Sequence, residues 1–387
     1  MTQTPQNNTR TIVTIIAAVT VMGLSLSLSI PLVSLALERR GFGSDIIGYM
    51  GAFPALAFLF ATPFVPKLAS VFGASKMLWT ALILCSGSIL ALAFTENLYV
   101  WFLLRLGIGT GMSILFLISE TWINQVANEE TRGRTIGIYV AFLTCGFALG
   151  PVLINVLGSE GQLPFIVASM IVASAGLFFF SSGDNYPIMS GHSRFSVFSF
   201  IKLAPLICAA ALLVAFFDGT VLTLLPIYGV KSGMTAGTAV LMTSLLLGGN
   251  ILLQMPIGWL ADNVGREKVI LVCGILGLIG SLLLPLLIST PFLLWPMLVI
   301  WGGAVVGTYT LALVLMGEKF KGAELVTANA AAGVLWGVGS LIGPAAGGLA
   351  MEIYEPHGMP FVFAIICFLF VCIAIWQTSK RAAVNQA

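Results

Sequence analysis

Pro66-Lys67-Leu68-Ala69-Ser70-Val71-Phe72-Gly73-Ala74-Ser75-Lys76 and Gly258-Trp259-Leu260-Ala261-Asp262-Asn263-Val264-Gly265-Arg266-Glu267-Lys268 carry one pattern twice, 192 residues apart. Leu, Ala, Gly and Lys recur at matching places. Two further pairs keep that offset to within one residue: Gly41 with Gly233, and Gly150-Pro151 with Gly343-Pro344. Three anchors at one offset predict a chain of two related halves. Both copies run the same way, so the halves are parallel repeats about an axis along a membrane normal.

The membrane follows from what flanks these copies. Of 387 residues, 58% are hydrophobic and 8% are charged, and the mean hydropathy is +1.04. A soluble domain carries about a quarter charged residues, so lipid is the natural solvent of this surface. The apolar runs are about twenty residues long, enough for a helix to cross about 30 Å of hydrocarbon. Barrel strands would alternate over about ten residues. The expected fold is therefore all-α, with spans near 12–37, 47–69, 75–95, 98–121, 135–157, 163–181, 206–229, 237–260, 268–289, 292–316, 325–351 and 359–379. These twelve helices divide into a six-helix bundle over 1–181, a polar linker over 182–204 and a second bundle over 205–387. The polar start, residues 1–10, leads straight into the first span and reads as no signal peptide.

The positive charges give an orientation. Thirteen Lys and Arg residues, among them Lys67, Lys76, Arg266, Lys268 and Lys319, fall on the side of the termini; Arg39, Arg40 and Lys231 fall on the other. The termini are therefore expected in the cytoplasm, in a multi-pass protein of the cell (inner) membrane. The expected surroundings are membrane lipid and the expected state is a monomer. No basic tract of the nucleic-acid type is present. The six cysteines lie in apolar runs and read as packing residues, with no metal or cofactor set. No Walker A motif occurs, so ATP does not drive the protein. His192 and His357 lie outside the spans and no nucleophile–base pair is evident, so no enzyme is expected.

Residues 258–268 resemble the loop signature of the major facilitator family, GxLaDrxGRkxx. The resemblance covers the whole chain. It extends to Arg105-Leu-Gly-Ile-Gly109-Thr-Gly111 and to Glu130-Thr-Arg132-Gly133-Arg134. Gly339-Ser-Leu-Ile-Gly343-Pro344-Ala-Ala-Gly347-Gly348 is similar to a pattern that facilitator antiporters carry in helix 5; here the full form falls in helix 11. Ser119-Glu120-Thr121-Trp122, Gln254-Met255-Pro256-Ile257-Gly258 and Gly317-Glu318-Lys319 resemble the YcaD-type branch, which implies no substrate.

Asp218 is the most informative single residue. It falls halfway along helix 7, where a charge costs about 2.5–3.5 kcal/mol on insertion scales. Desolvation favours the protonated form of a carboxyl group, which suits a proton carrier. The plainer reading is an interhelical hydrogen bond. The resemblance implies that helix 7 lines the central cavity and that Arg105 of helix 4 takes part in coupling. Arg105 could instead snorkel to the nearer interface. Trp301 stands near its place in the second half. Glu120 either pairs with Lys76 or faces the cavity. In the family, such acids latch to the signature arginine, which fits Glu318 with Arg266 and Asp262. Gly258 and Gly265 would permit close approach and a tight turn. The first half has Ser70 and Ala74 instead, which weakens its latch. Spacing adds cavity-lining candidates: Asn250 with Gln254, Asn329 with Trp336 and Ser340, and Ser25 with Ser29; for each stripe alone, interhelical hydrogen bonding is the plainer reading.

The expected function is secondary active transport of a small organic solute by alternating access, coupled to protons. Abundant Met, Phe and Trp with few cavity charges favour a neutral or amphipathic solute and export. A facilitative uniporter or a proton-coupled uptake symporter are the alternatives. A non-transporting sensor would need a sizeable soluble domain or a partner-binding tail.

Overall fold

A computed structural model describes residues 5–127, 132–181, 186–187, 197–320 and 323–386. All regular structure among them is helical: α1 (Pro5–Arg39), α2 (Ser44–Ala61), α3 (Val65–Phe72), α4 (Ala74–Leu92), α5 (Leu98–Val126), α6 (Arg132–Leu157), α7 (Leu163–Ser181), α8 (Val197–Leu203), α9 (Pro205–Lys231), α10 (Ala236–Val264), α11 (Arg266–Leu287), α12 (Pro291–Lys319), α13 (Ala323–Ile353) and α14 (Gly358–Gln386). Eleven of these are long and apolar enough to span a membrane, and α7 adds a shorter apolar stretch, Leu163–Phe179. The backbone gives the reason: in lipid every N–H and C=O needs an internal partner, and a helix supplies it.

Two expected boundaries change. The single span over 47–69 is two helices, α2 and α3, broken at residues 62–64. Pro63 has no N–H to give and obstructs the preceding turn, so the helix stops there. Most of the expected linker lies outside the described residues, but its end, Val197–Leu203, is the short helix α8.

The chain forms two compact units. One is Met1–Ala36 with Phe53–His192; the other is Leu37–Ala52 with Ser193–Ala387. The corner over Leu37–Ala52, placed by sequence in the first bundle, packs with the second unit.

Each unit repeats the other's internal packing. A Cβ on Gly146 would lie 2.3 Å from the Thr20 carbonyl oxygen, and one on Gly339 would lie 2.7 Å from that of Leu212. Thr20 and Leu212 are 192 residues apart; Gly146 and Gly339 are 193 apart. Likewise Gly109 of α5 meets the Pro54 carbonyl at 2.3 Å, and Gly302 of α12 meets the Leu246 carbonyl at 2.2 Å. Helix backbones touch at these points and leave no room for a side chain, as small-residue contacts do in membranes. The turns repeat too. Gly41 and Gly233 have φ of 76° and 90°, and Gly73 and Gly265 have φ of 87° and 106°. Those backbone angles suit glycine and disfavour other residues.

Candidate functional site

Asp218 is the fourteenth of the 27 residues of α9. The helix is fixed in rotation by the residue before it. Phe217 is fully buried, with its ring 4.9 Å from Trp301 of α12 and 5.1 Å from Phe363 of α14. Trp301 is anchored in turn, its Nε1 donating to the Gly277 carbonyl at 3.0 Å. Beside Asp218, Gly219 lies against Ser340 of α13, and the Ser340 hydroxyl donates to the Ala215 carbonyl at 3.4 Å. With Phe217 locked into the aromatic core, Asp218 falls on a different side of the helix and is half-buried. It makes no hydrogen bond or ion pair with any described residue. A mid-span carboxyl group with that freedom can take up and release a proton, or hold a polar group of a solute.

Arg105 in α5 is 0% exposed. That corrects the snorkelling alternative: the side chain is fully buried. Its repeat counterpart is also corrected. Gly109 and Gly302 occupy equivalent contacts, so Leu298, four residues before Gly302, matches Arg105, and Trp301 does not. The charge remains unduplicated. Glu120, further along α5, is exposed and forms no ion pair with Lys76. It lies within electrostatic reach of Tyr139 of α6, a buried residue whose hydroxyl has no hydrogen-bond partner among the described residues. Sequence reasoning missed Tyr139, because nothing in a helix that is apolar throughout distinguishes one tyrosine.

The second-half latch is present as a geometry. Arg266 forms ion pairs with Glu318 of α12 and with Asp262, the latter at 3.2 Å. Gly265 supplies the turn, but Gly258 has open space where a Cβ would be, so it mediates no close approach. The first-half equivalents form no latch: the Ser70 hydroxyl bonds the Lys67 carbonyl of its own helix. The latch side chains are 31% exposed at Arg266 and 53% at Glu318. Exposed pairs contribute little, so Glu318→Gln is expected to lower folding stability by less than about 1 kcal/mol. Thermal unfolding in detergent checks this; a loss of several kcal/mol would mean the pair carries the fold.

The softer candidates separate. Asn250 and Gln254 meet, with Gln254 Nε2 donating to Asn250 Oδ1 at 2.6 Å, and Gln254 Oε1 is buried without a partner among the described residues. Trp336 lies 5.3 Å from the ring of Tyr309 of α12, another residue the sequence did not single out. Ser25 and Ser29 are corrected from cavity wall to packing. Both are 0% exposed, and their hydroxyls bond carbonyls of their own helix, Val21 and Leu26. The side chains of Asn329, Arg132 and Arg134, and all of Glu130 and His192, lie outside the described residues. Cys145 and Cys372 are exposed and the other four cysteines are buried, so the packing reading holds for four. Among the described residues no group of His, Cys, Asp or Glu could hold a metal ion. A cavity of about 250 Å³, lined by Ala204, Ile207, Leu315, Glu318, Lys319 and Gln377, opens at the start of α9. Asp218 is about 20 Å further along that helix, so the cavity is remote from it.

Apolar membrane-spanning helices packed as a parallel repeat are the architecture of a membrane transporter. The sequence profile of the Major Facilitator Superfamily matches residues 15–248 and 207–386, and the chain belongs to that family. It is 29% identical to the uncharacterised MFS-type transporter YfkF of Bacillus subtilis over 372 residues, 93% of each chain. It is 24% identical to the uncharacterised MFS-type transporter YcaD of Salmonella typhi over 367 residues, 94% of each. Its fold is similar to that of a point mutant of the nucleoside transporter NupG, with a TM-score of 0.78 at 14% identity, covering 95% of this chain and 99% of that one.

Proposed function

We propose that this transporter moves a small organic solute by alternating access and that protons drive it. Asp218 is the proton carrier, and Arg105 and Glu120 supply the charge of the first half. The observation that carries the reading is Asp218 itself: mid-span, half-buried, and without hydrogen bond or ion pair to any described residue. An intramembrane carboxyl group is costly to keep and marks a proton or solute path in such proteins. Asn250, Gln254, Trp336, Ser340 and Tyr309 offer amide, hydroxyl and aromatic groups to a neutral or amphipathic solute, which favours export. The Lys and Arg bias sets the termini in the cytoplasm. The protein works as a monomer of two six-helix halves, 1–181 and 205–387, joined by 182–204.

Sealed vesicles of the purified protein with a pH-sensitive dye inside test this. A panel of organic solutes is added without a pH gradient; nucleosides, the solute class in NupG's own name, belong in it. A transported solute is expected to move protons as it moves. Flux with no proton movement would identify a uniporter and remove the proton role of Asp218.

A further inference from the structure

The second unit carries charges that the transport reading leaves unused, at the end of α9 away from the latch. Lys231 Nζ lies 2.5 Å from Glu355 Oε1, in the turn between α13 and α14, and 3.6 Å from Glu38 Oε1, in the last turn of α1. Glu352, near the end of α13, also acts electrostatically on Lys231. Its Oε2 accepts the Ser44 backbone N–H at 2.8 Å. Ser44 opens α2, so Glu352 caps a helix start whose dipole favours negative charge. Lys231 and Glu38 are 16% and 17% exposed, whereas Glu355 is 58% exposed, so the Lys231–Glu355 pair is open to solvent and its attraction weakens as salt rises.

Below these charges two glycines of the corner fit closely against α13 and α9. A Cβ on Gly48 would sit 2.2 Å from the Pro344 carbonyl oxygen and 3.0 Å from Gly348 Cα. One on Gly51 would sit 2.4 Å from Thr223 Cγ2. Leu37–Ala52 therefore groups with the second unit, although the chain on either side of it belongs to the first.

We propose that Lys231, Glu38, Glu355 and Glu352 form a charge lock that holds the α1–α2 corner on α9 and α13, and that this lock opens in each transport cycle. Only the second clause rests on the alternating-access reading. Glycine contacts fit the surfaces together but offer nothing that can be switched. The charges can be. Three carboxylates share one lysine, so losing the lysine leaves three like charges facing one another, and the corner is pushed away. Losing one carboxylate leaves two partners for Lys231. The lysine is therefore expected to matter more than any single acid.

Thr223 reports on the corner. It is 1% exposed and lies under Gly51. The full-length protein, carrying Thr223→Cys with Cys145→Ser and Cys372→Ser, is purified in detergent and treated with a water-soluble maleimide. With the lock intact, labelling is slow. Lys231→Gln is expected to quicken it roughly fivefold or more, the effect of an ordinary coupling between sites. Glu355→Gln gives a smaller increase, and Lys231→Glu combined with Glu355→Lys restores protection. Raising salt from about 0.05 to 0.5 M quickens labelling in the chain that keeps Lys231 and leaves the Lys231→Gln chain unaffected. The salt comparison on the chain that keeps Lys231 decides the matter even if Lys231→Gln does not fold. Labelling that ignores both salt and Lys231→Gln overturns the lock. No solute or proton gradient enters the assay, so it fails or succeeds independently of the proton reading.

Discussion

Asp218→Asn is expected to abolish accumulation of solute against its gradient while leaving the protein folded. A proton crossing a gradient of one pH unit releases about 1.4 kcal/mol, which sustains a tenfold solute ratio when one proton moves per solute. The variant cannot protonate and deprotonate, so its ratio falls to one at any gradient. The sign of the unmodified protein's ratio separates mechanisms. An exchanger collects solute on the acidic side, and a symporter collects it on the alkaline side. Asp218→Glu keeps a carboxyl group on the same helix face and retains a ratio above one. Stability moves the other way from function. A charge at mid-span costs about 2.5–3.5 kcal/mol on insertion scales, and the amide avoids that cost. Asp218→Asn is thus expected to melt in detergent no lower than the unmodified chain. If it accumulates solute to the same ratio, Asp218 is not the carrier.

The residues that proved readable in sequence are those whose role is set by chain geometry. Gly41, Gly73, Gly233 and Gly265 stand at left-handed turns that any helical hairpin of this shape needs. They recur at one offset because the two units are built alike. Arg266 and Glu318 belong to a loop and helix end whose partners the signature itself specifies. Faces were less legible. The spans are apolar all round, so the 3.6-residue period that reveals an inward side in soluble helices is weak. Ser25 and Ser29 share a face, yet each hydroxyl is satisfied within its own helix, an option that spacing does not reveal. Arg105 lies shallow enough to snorkel and is enclosed all the same. The corner was illegible for a different reason. Ser44 and Glu352 are 308 residues apart in the chain, and only the fold brings them together. Lys231 stood out as one of three positive charges on its side of the chain, but none of its three acidic partners could be named.

Gly248 and Gly249 are expected to respond oppositely to the same substitution. Both are mid-helix in α10, one residue apart. A Cβ on Gly249 would lie 2.1 Å from the Val299 carbonyl oxygen of α12 and 2.7 Å from that residue's Cα; a Cβ on Gly248 would meet nothing within 4 Å. The obstruction at Gly249 is backbone, which cannot rotate away as a side chain can. Two helices must separate along their length to admit one methyl group, and the lost contacts extend beyond the point of collision. Overpacking of this kind costs about 1–3 kcal/mol and occasionally more, and Gly249→Ala belongs at the upper end. Gly248→Ala meets no obstacle and exchanges glycine's backbone freedom for alanine's helix preference, a gain of up to about 1 kcal/mol. Gly109→Ala and Gly302→Ala extend the comparison to both units. Their methyl groups would meet the Pro54 and Leu246 carbonyls at nearly the same distance, so their losses should match each other. Unfolding of each variant in mixed detergent gives the four values. Equal behaviour of Gly248→Ala and Gly249→Ala would mean that α10 and α12 are not in backbone contact. Equal losses at Gly109 and Gly302 would show that the repeat extends beyond the loop patterns to the helix contacts that hold each unit together.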